Sequence, residues 1–331
     1  MKKILILGGT GFVGRILTEN LLKTDNSVTL FNRGKRNPDI FPGIRKFAGD
    51  RDTDDILQIG NESWDSVIDF SCMFPDNLDK VTDLLRGKAG RYIFISTASV
   101  YPMDDPAFWK LPVAESASTL PCTTEQRKDK NIMATYGQKK AECERVLLGK
   151  EWLDSIIFRP GLIYGRYDPT DRFYYWLYKV KKQDKVLVPE DSGDKFTNTY
   201  SEDFASLIKS AIDIKKHNKI YNAETHAAVS LKGLLDISCR FLERKPEFIN
   251  ASSKFLETSN VQPWGDLPVW LGGMNLVLDY SKALKDFPVS YHSFEDSVKG
   301  CIEYYSSLNW PIPKYGLSAE KEQELINSLT D

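Results

Sequence analysis

Tyr136 and Lys140 stand four residues apart in Tyr136-Gly137-Gln138-Lys139-Lys140, a spacing that puts a phenol and an ammonium on one helical face. A free phenol ionises at a pH of about 10, and a neighbouring cation favours the phenolate, drawing proton exchange toward neutrality. Upstream, Ile95-Ser96-Thr97-Ala98-Ser99-Val100-Tyr101 supplies hydroxyls that could hydrogen-bond a substrate oxygen. Phenol, ammonium and hydroxyl together can move a proton to or from an alcohol or carbonyl oxygen. On its own, Tyr-x-x-x-Lys is a common surface pair, so its meaning depends on what accompanies it.

A glycine-rich turn accompanies it. Gly8-Gly9-Thr10-Gly11-Phe12-Val13-Gly14 directly follows the apolar run Lys3–Leu7 and directly precedes Arg15–Lys23, where Ile16, Leu17 and Leu21 form one helical stripe. Such a strand-to-helix turn lets the backbone approach a pyrophosphate, whose charge then meets the unpaired N–H groups of the helix. The second apolar run ends Val28-Thr29-Leu30-Phe31-Asn32-Arg33-Gly34-Lys35-Arg36. A neutral Asn32 where a carboxylate commonly holds the ribose hydroxyls, followed by Arg33, Lys35 and Arg36, suits a 2′-phosphate and argues for NADP over NAD. A solvated basic loop is the competing explanation.

Further short apolar runs, Trp64–Phe70, Arg91–Thr97 and Ser155–Phe158, alternate with stretches long enough for helices. Near-continuous apolar strands separated by helices predict an α/β fold, a doubly wound parallel sheet of Rossmann type buried on both faces. Beyond Gly165 the pattern loosens into an aromatic run (Phe173–Tyr178), a short strand at Val186–Pro189, a helix at Ser201–Lys215 and a strand at Lys219–Glu224. The expected division is a nucleotide-binding domain over 1–165, rejoined by 200–224, with a smaller substrate lobe made of 166–199 and 225–331. The aromatic run reads as core of that lobe, and Ser318–Leu329 as a charged amphipathic helix appended to the surface.

With these pieces in one order, the chain resembles an extended short-chain dehydrogenase/reductase of the NAD-dependent epimerase/dehydratase type. Arg159-Pro160, Tyr164-Gly165 and Ser201-Glu202-Asp203-Phe204-Ala205 extend the likeness over nearly the whole length. Phe31-Asn32-Arg33-Gly34-Lys35 and Gly49-Asp50-Arg51-Asp52 are similar to a reductase-like branch related to chloroplast stem-loop RNA-binding proteins. The resemblance implies a phosphate turn from Gly8, Thr10, Gly11 and Gly14 with Phe12 and Val13 offering N–H groups. It implies Asp50 and Arg51 at the adenine, Phe70 and Ser71 lining the cofactor, and Pro160 beside the nicotinamide. Thr97 takes the place of the catalytic hydroxyl, where many members have Ser; Tyr136 is the proton-transferring residue and Lys140 its ribose-binding partner. Asp69 stands where His is frequent. Dimerisation through two helices per subunit, one of them the helix after Tyr136, is a further implication.

Composition bounds the alternatives. The 331 residues carry 44 basic and 46 acidic side chains, a net charge of −2 that argues against nucleic acid and anionic membranes as partners. Five scattered cysteines without a CxxC pair and three distant histidines predict no disulfide framework and no metal site. No run approaches a membrane span, so a cytoplasmic protein is expected. In Asp168-Pro169-Thr170-Asp171-Arg172, Arg172 is a candidate for an anionic or hydroxylated substrate; an Asp-Pro turn with a local ion pair explains it equally well. The leading expectation is an NAD(P)-dependent oxidoreductase or epimerase acting at a hydroxyl or carbonyl carbon of a small or sugar-nucleotide substrate. The rival is an RNA-binding or regulatory protein on the same scaffold, drawing on cations such as Lys179, Lys181, Lys182 and Lys185.

Overall fold

The fold is that of a computed structural model, which describes all residues except 104, 106–111, 216, 218 and 331. The first half of the chain runs β1 (Lys3–Leu7), α1 (Phe12–Leu21), β2 (Ser27–Asn32), β3 (Arg45–Ala48), β4 (Trp64–Asp69), α2 (Pro75–Leu84), β5 (Ala89–Ile95), α3 (Thr124–Lys128), α4 (Tyr136–Leu148), β6 (Ser155–Arg159) and β7 (Leu162–Tyr164). There follow α5 (Arg172–Lys182), β8 (Lys185–Pro189), β9 (Lys195–Phe196), β10 (Asn198–Tyr200), α6 (Ser201–Ala211), β11 (Ile220–Asn222), β12 (Val229–Ser230), α7 (Leu231–Leu242) and β13 (Glu247–Ala251). The chain ends with α8 (Ser253–Thr258), α9 (Ser281–Asp286), α10 (Phe294–Ser307) and α11 (Ala319–Thr330).

β1 sends Ile4 and Ile6 into one layer and Leu5 and Leu7 into the other, all four fully buried, which is why the run is continuously apolar. The central sheet has the order β3-β2-β1-β4-β5-β6-β11, every pair parallel. α1 and α6 cover the Ile4/Ile6 face through Ile16, Leu17, Phe204 and Leu207; α2 and α4 cover the other through Leu78, Val81, Cys143 and Leu147. The chain moves outward from β1 to β3, then crosses back to β4. That reversal opens a crevice at the carboxyl ends of β1 and β4, where open α/β sheets bind ligands. The expected doubly wound sheet is present, with β3 added. This strand has no apolar run to announce it, because it is a four-residue edge strand with no fully buried position.

A second hydrophobic core gathers Tyr164, Phe173, Tyr174, Tyr175, Trp176 and the strand β8 with helices from the last third of the chain. The aromatic run is therefore interior, as its composition suggests. α11 departs from the expected surface appendage: Leu325 and Ile326 are buried in this core, and Glu322 is 1% exposed. Its carboxylate pairs with buried Lys179 and accepts N–H groups from Leu187 (3.1 Å) and Gln183 (2.9 Å). One buried carboxylate among charged neighbours is invisible to a pattern count, and it is what docks the helix. Among the described residues no helix is long and apolar enough to cross a membrane.

Lys179→Met leaves Glu322 buried without its cation and should lower unfolding free energy by about 3–5 kcal/mol in urea titrations. Adding Glu322→Gln should recover much of the loss; an unchanged midpoint in the single variant would show that the pair does not dock α11.

Candidate active site

β1 delivers the chain into the glycine turn at the switch point. Gly8 has φ +98°, a left-handed value that favours glycine, and its N–H donates to the Phe31 carbonyl at 3.1 Å. A Cβ on Gly14 would lie 2.3 Å from the Gly8 carbonyl oxygen, so only glycine lets α1 start this close to the strand. Gly11, the N-cap of α1, brings no capping side chain, leaving the first N–H groups of the helix to another partner. Phe12 opens the helix at φ +38°, a costly value for a bulky residue and the kind of strain found where backbone meets ligand. Val13 is buried in the layer beneath. Thr10 Oγ1 lies 3.5 Å from Asn32 Oδ1, and the Thr10 carbonyl accepts from Asn37 Nδ2 at 3.0 Å. Of the cations that follow Asn32, Arg33 and Lys35 are exposed, and Arg36 folds back so that its guanidinium lies over Gly11.

The opposite wall is organised by Asp69, the last residue of β4, which has no solvent exposure. It accepts from Arg51 Nη1 (2.7 Å), the Tyr92 hydroxyl (2.6 Å) and the N–H groups of Ser71 (2.9 Å) and Cys72 (3.1 Å). Burial works to raise this carboxyl, but the Arg51 charge and these hydrogen bonds hold it below the usual carboxylate range. Arg51 also donates to Ser71 Oγ at 3.0 Å. Phe70 and Ser71 stand against Gly8, whose Cβ would meet theirs at 3.2 and 3.5 Å. Asp50 uses its carboxylate locally, accepting the Asp52 N–H at 3.1 Å.

The remaining candidate residues lie at the ends of β5 and β6. Thr97 caps a short 3₁₀ turn, accepting the Ser99 N–H and donating to Ser99 Oγ, each at 3.2 Å. The Ala98 N–H donates to the Pro160 carbonyl at 2.8 Å, which fixes the loop after β6 beside this turn. Gly137 is decisive: a Cβ there would lie 2.1 Å from the Ser99 carbonyl, so the first turn of α4 rests directly on the 97–99 turn. Half-buried Tyr136 starts that helix. One turn along, buried Lys140 donates to the Ile95 carbonyl (2.6 Å) and the Cys72 carbonyl (3.1 Å), with its ammonium 4.1 Å from the Phe94 ring centroid. A further turn along, Glu144 forms a buried ion pair with Arg159 at 2.5 Å. Arg159 reaches the Tyr101 hydroxyl (2.9 Å), which donates to Asn222 (2.7 Å). The spacing of four through 136, 140 and 144 could have revealed Glu144, but nothing local marks it as buried.

The candidate residues thus form two neighbouring groups, the glycine turn with Asn32, Arg51, Phe70 and Ser71, and the turn at Thr97 with Tyr136, Lys140 and Pro160. Lys140 bridges them through the Cys72 carbonyl. Arg172 falls elsewhere, at the start of α5 near the Trp264 and Tyr315 rings, its Nε buried without a partner. Sequence reasoning also missed Glu224, fully buried against Gly161, the residue after Pro160; a Cβ on Gly161 would lie 2.8 Å from its Oε2. Neither carboxyl oxygen has a well-formed hydrogen bond. Burial pushes its pKa up to about 8, an effect softened by the nearby Gly161 N–H and the Thr197 and Thr199 hydroxyls. The residues of the phosphate turn fit a dinucleotide: a cradle that a Cβ would fill, an uncapped helix, and buried nitrogen donors on Arg51 and Asn32 without acceptors.

Residues 4–223 match the NAD dependent epimerase/dehydratase family, and the chain belongs to that family. Among solved structures it is similar to UDP-glucuronic acid 4-epimerase from Bacillus cereus in complex with NAD, at 16% identity and TM-score 0.71 over 93% of this chain and 100% of that one. UDP-glucose 4-epimerase from Thermus thermophilus, also a complex with NAD, gives 18% identity and TM-score 0.68 over 92% and 99%. These likenesses establish the fold. In sequence, the chain is 27% identical over 254 residues to the chloroplast stem-loop binding protein of 41 kDa b from Arabidopsis thaliana, 70% of this chain and 61% of the relative. The match thus spans about three-fifths of the length of that curated relative.

Gly137→Ala should push α4 off the Ser99 carbonyl and destabilise the fold by about 1–3 kcal/mol in thermal melts, with nucleotide affinity falling alongside. For Glu224, the folded carboxyl keeps its proton up to about pH 8 whereas an ordinary one loses it near 4.5. The unfolded chain therefore binds fewer protons between these values, and stability falls as pH rises through that window. Glu224→Gln removes the penalty: it should stabilise the protein at pH 8 by up to about 5 kcal/mol, with the difference vanishing below about pH 4.5. A pH-independent difference in melting temperature would contradict this account.

Proposed function

We propose that the protein is an NADP-dependent oxidoreductase or epimerase working at a hydroxyl or carbonyl carbon of a small or sugar-nucleotide substrate. What carries this reading is the seating of the Tyr136 helix on the Thr97–Ser99 turn at Gly137, beside a glycine turn on the same edge of the sheet. Tyr136 is assigned the proton transfer at the substrate oxygen, and Thr97 Oγ1 the hydrogen bond that orients it. Lys140 has three N–H donors, two of them taken by the Ile95 and Cys72 carbonyls, which leaves one for the ribose or the phenol oxygen. Bound nicotinamide would supply or accept the hydride. Pro160, held by Ala98, would back its ring. Asn32 with Arg33, Lys35 and Arg36 supports NADP, because no carboxylate from β2 opposes a 2′-phosphate. The family and the sugar-nucleotide epimerases that share the fold support the substrate class.

The outward side of α2 and α4 carries Asp76, Lys80, Asp83 and Arg145, with Arg127 bridging Asp76 and Glu142. A homodimer through these helices would be built on ion pairs rather than an apolar seam. The RNA-binding alternative draws on the likeness to the stem-loop binding protein. Of the cations that could have served it, Lys179 is buried against Glu322 and Lys185 pairs with Glu247.

Denaturing the purified protein and weighing any released nucleotide, alongside titrations with NADPH and NADH, tests the cofactor. NADPH should bind more tightly; binding of neither would remove the basis of the proposal. Across a panel of nucleotide sugars and small carbonyl compounds, Tyr136→Phe should lower turnover by roughly 10²- to 10⁴-fold with NADPH affinity nearly intact, and full turnover in that variant would overturn the assignment.

A further inference from the structure

Arg51 is 8% exposed, yet only Nη1 of its guanidinium is partnered, to Asp69 and Ser71; Nε and Nη2 are buried without an acceptor. Asn32 Nδ2 is buried in the same condition. Both residues border the glycine turn. The Gly49 N–H, two residues before Arg51, donates to the Asn32 carbonyl at 3.0 Å, and Ser71, which Arg51 holds, stands against Gly8. The unpartnered atoms on these two residues are all donors. Buried N–H groups left without acceptors are costly, so the missing complement is rich in acceptors. Asp69 does not answer the need: its oxygens are shared with Tyr92, Ser71 and Cys72 and lie on the Nη1 side. The uncapped α1 and Arg36 over Gly11 add positive potential at the same mouth, which selects an anion.

We propose that Arg51 is the buried phosphate-binding cation of the crevice, donating from Nε and Nη2 to a phosphate oxygen on the adenosine half of the dinucleotide. This rests on the dinucleotide reading given above and deepens it. Arg33, Lys35 and Arg36 are exposed and screened by salt, whereas Arg51 acts from a buried position where screening is weak. Arg51 therefore dominates affinity, and the exposed cations tune it.

The test is a titration with 2′-phospho-ADP-ribose, ADP-ribose and nicotinamide mononucleotide, at low and high salt, on wild type, Arg51→Met, Arg51→Lys and Arg33→Ala. Arg51→Met should weaken 2′-phospho-ADP-ribose by about 10- to 100-fold at both salt concentrations, leaving nicotinamide mononucleotide unchanged. Arg33→Ala should cost less than about threefold, and only at low salt. Loss confined to the phosphorylated fragment places the contact on the 2′-phosphate; equal loss of ADP-ribose places it on the pyrophosphate, and either supports the proposal. If Arg51→Met does not fold, the charge-neutral pair Arg51→Met with Asp69→Asn replaces it, with thermal melting as the control. Wild-type affinity in a folded Arg51→Met or double variant overturns the proposal while leaving the dinucleotide reading intact. Wild-type protein that binds no fragment overturns both.

Discussion

The carboxylate of Asp69 is the constraint around which the crevice is arranged. A buried charge at the end of a central strand persists only if compensated, and Asp69 is compensated by one cation, one phenol and two backbone N–H groups drawn from three different segments. Meeting that demand pulls the loop after β3 toward β4, turns the 70–72 loop back over its own strand, and ties in β5 through Tyr92. The Cys72 carbonyl, set by the same loop, accepts the Lys140 ammonium. The wall that faces the glycine turn and the anchor of α4 thus share one short stretch of backbone.

Two close approaches complete the arrangement. At Gly14 a helix starts against the carbonyl of Gly8, and at Gly137 another starts against the carbonyl of Ser99. In each case the missing Cβ is what lets a helix end reach the crevice. Behind the second, the Glu144–Arg159 pair extends through Tyr101 to Asn222, linking α4, β6 and β11. A fully partnered buried network of this kind favours one register of helix against sheet, because any slip would strand a charge in the interior.

The second core is bound into the molecule by similar means. α11, at the far end of the chain, is anchored to α5 and β8 by the Glu322 carboxylate, and its apolar face closes over the aromatic run. Its many charged residues made α11 look like a solvated appendage in the sequence. Burial of one matched pair reverses that impression while leaving the outer face of α11 polar.

The amino-acid sequence by itself determined the doubly wound sheet, since runs such as Ile4–Leu7 and Ile156–Phe158 are apolar at every position and fit only strands covered on both faces. It also determined the order of the glycine turn, the Thr97 hydroxyl and the Tyr136/Lys140 pair, because local spacing encodes a strand-to-helix turn and a helical face. Only the tertiary structure decided that Arg51 is a buried cation, that Glu224 lies beneath Gly161, that Glu144 backs the helix that Tyr136 begins, and that Glu322 is buried where one face of α11 packs on the second core. Each of these is a charged residue whose environment comes from segments distant in the chain. Local periodicity reports how a segment can fold, whereas the state of a buried charge depends on partners that only the assembled fold brings within reach.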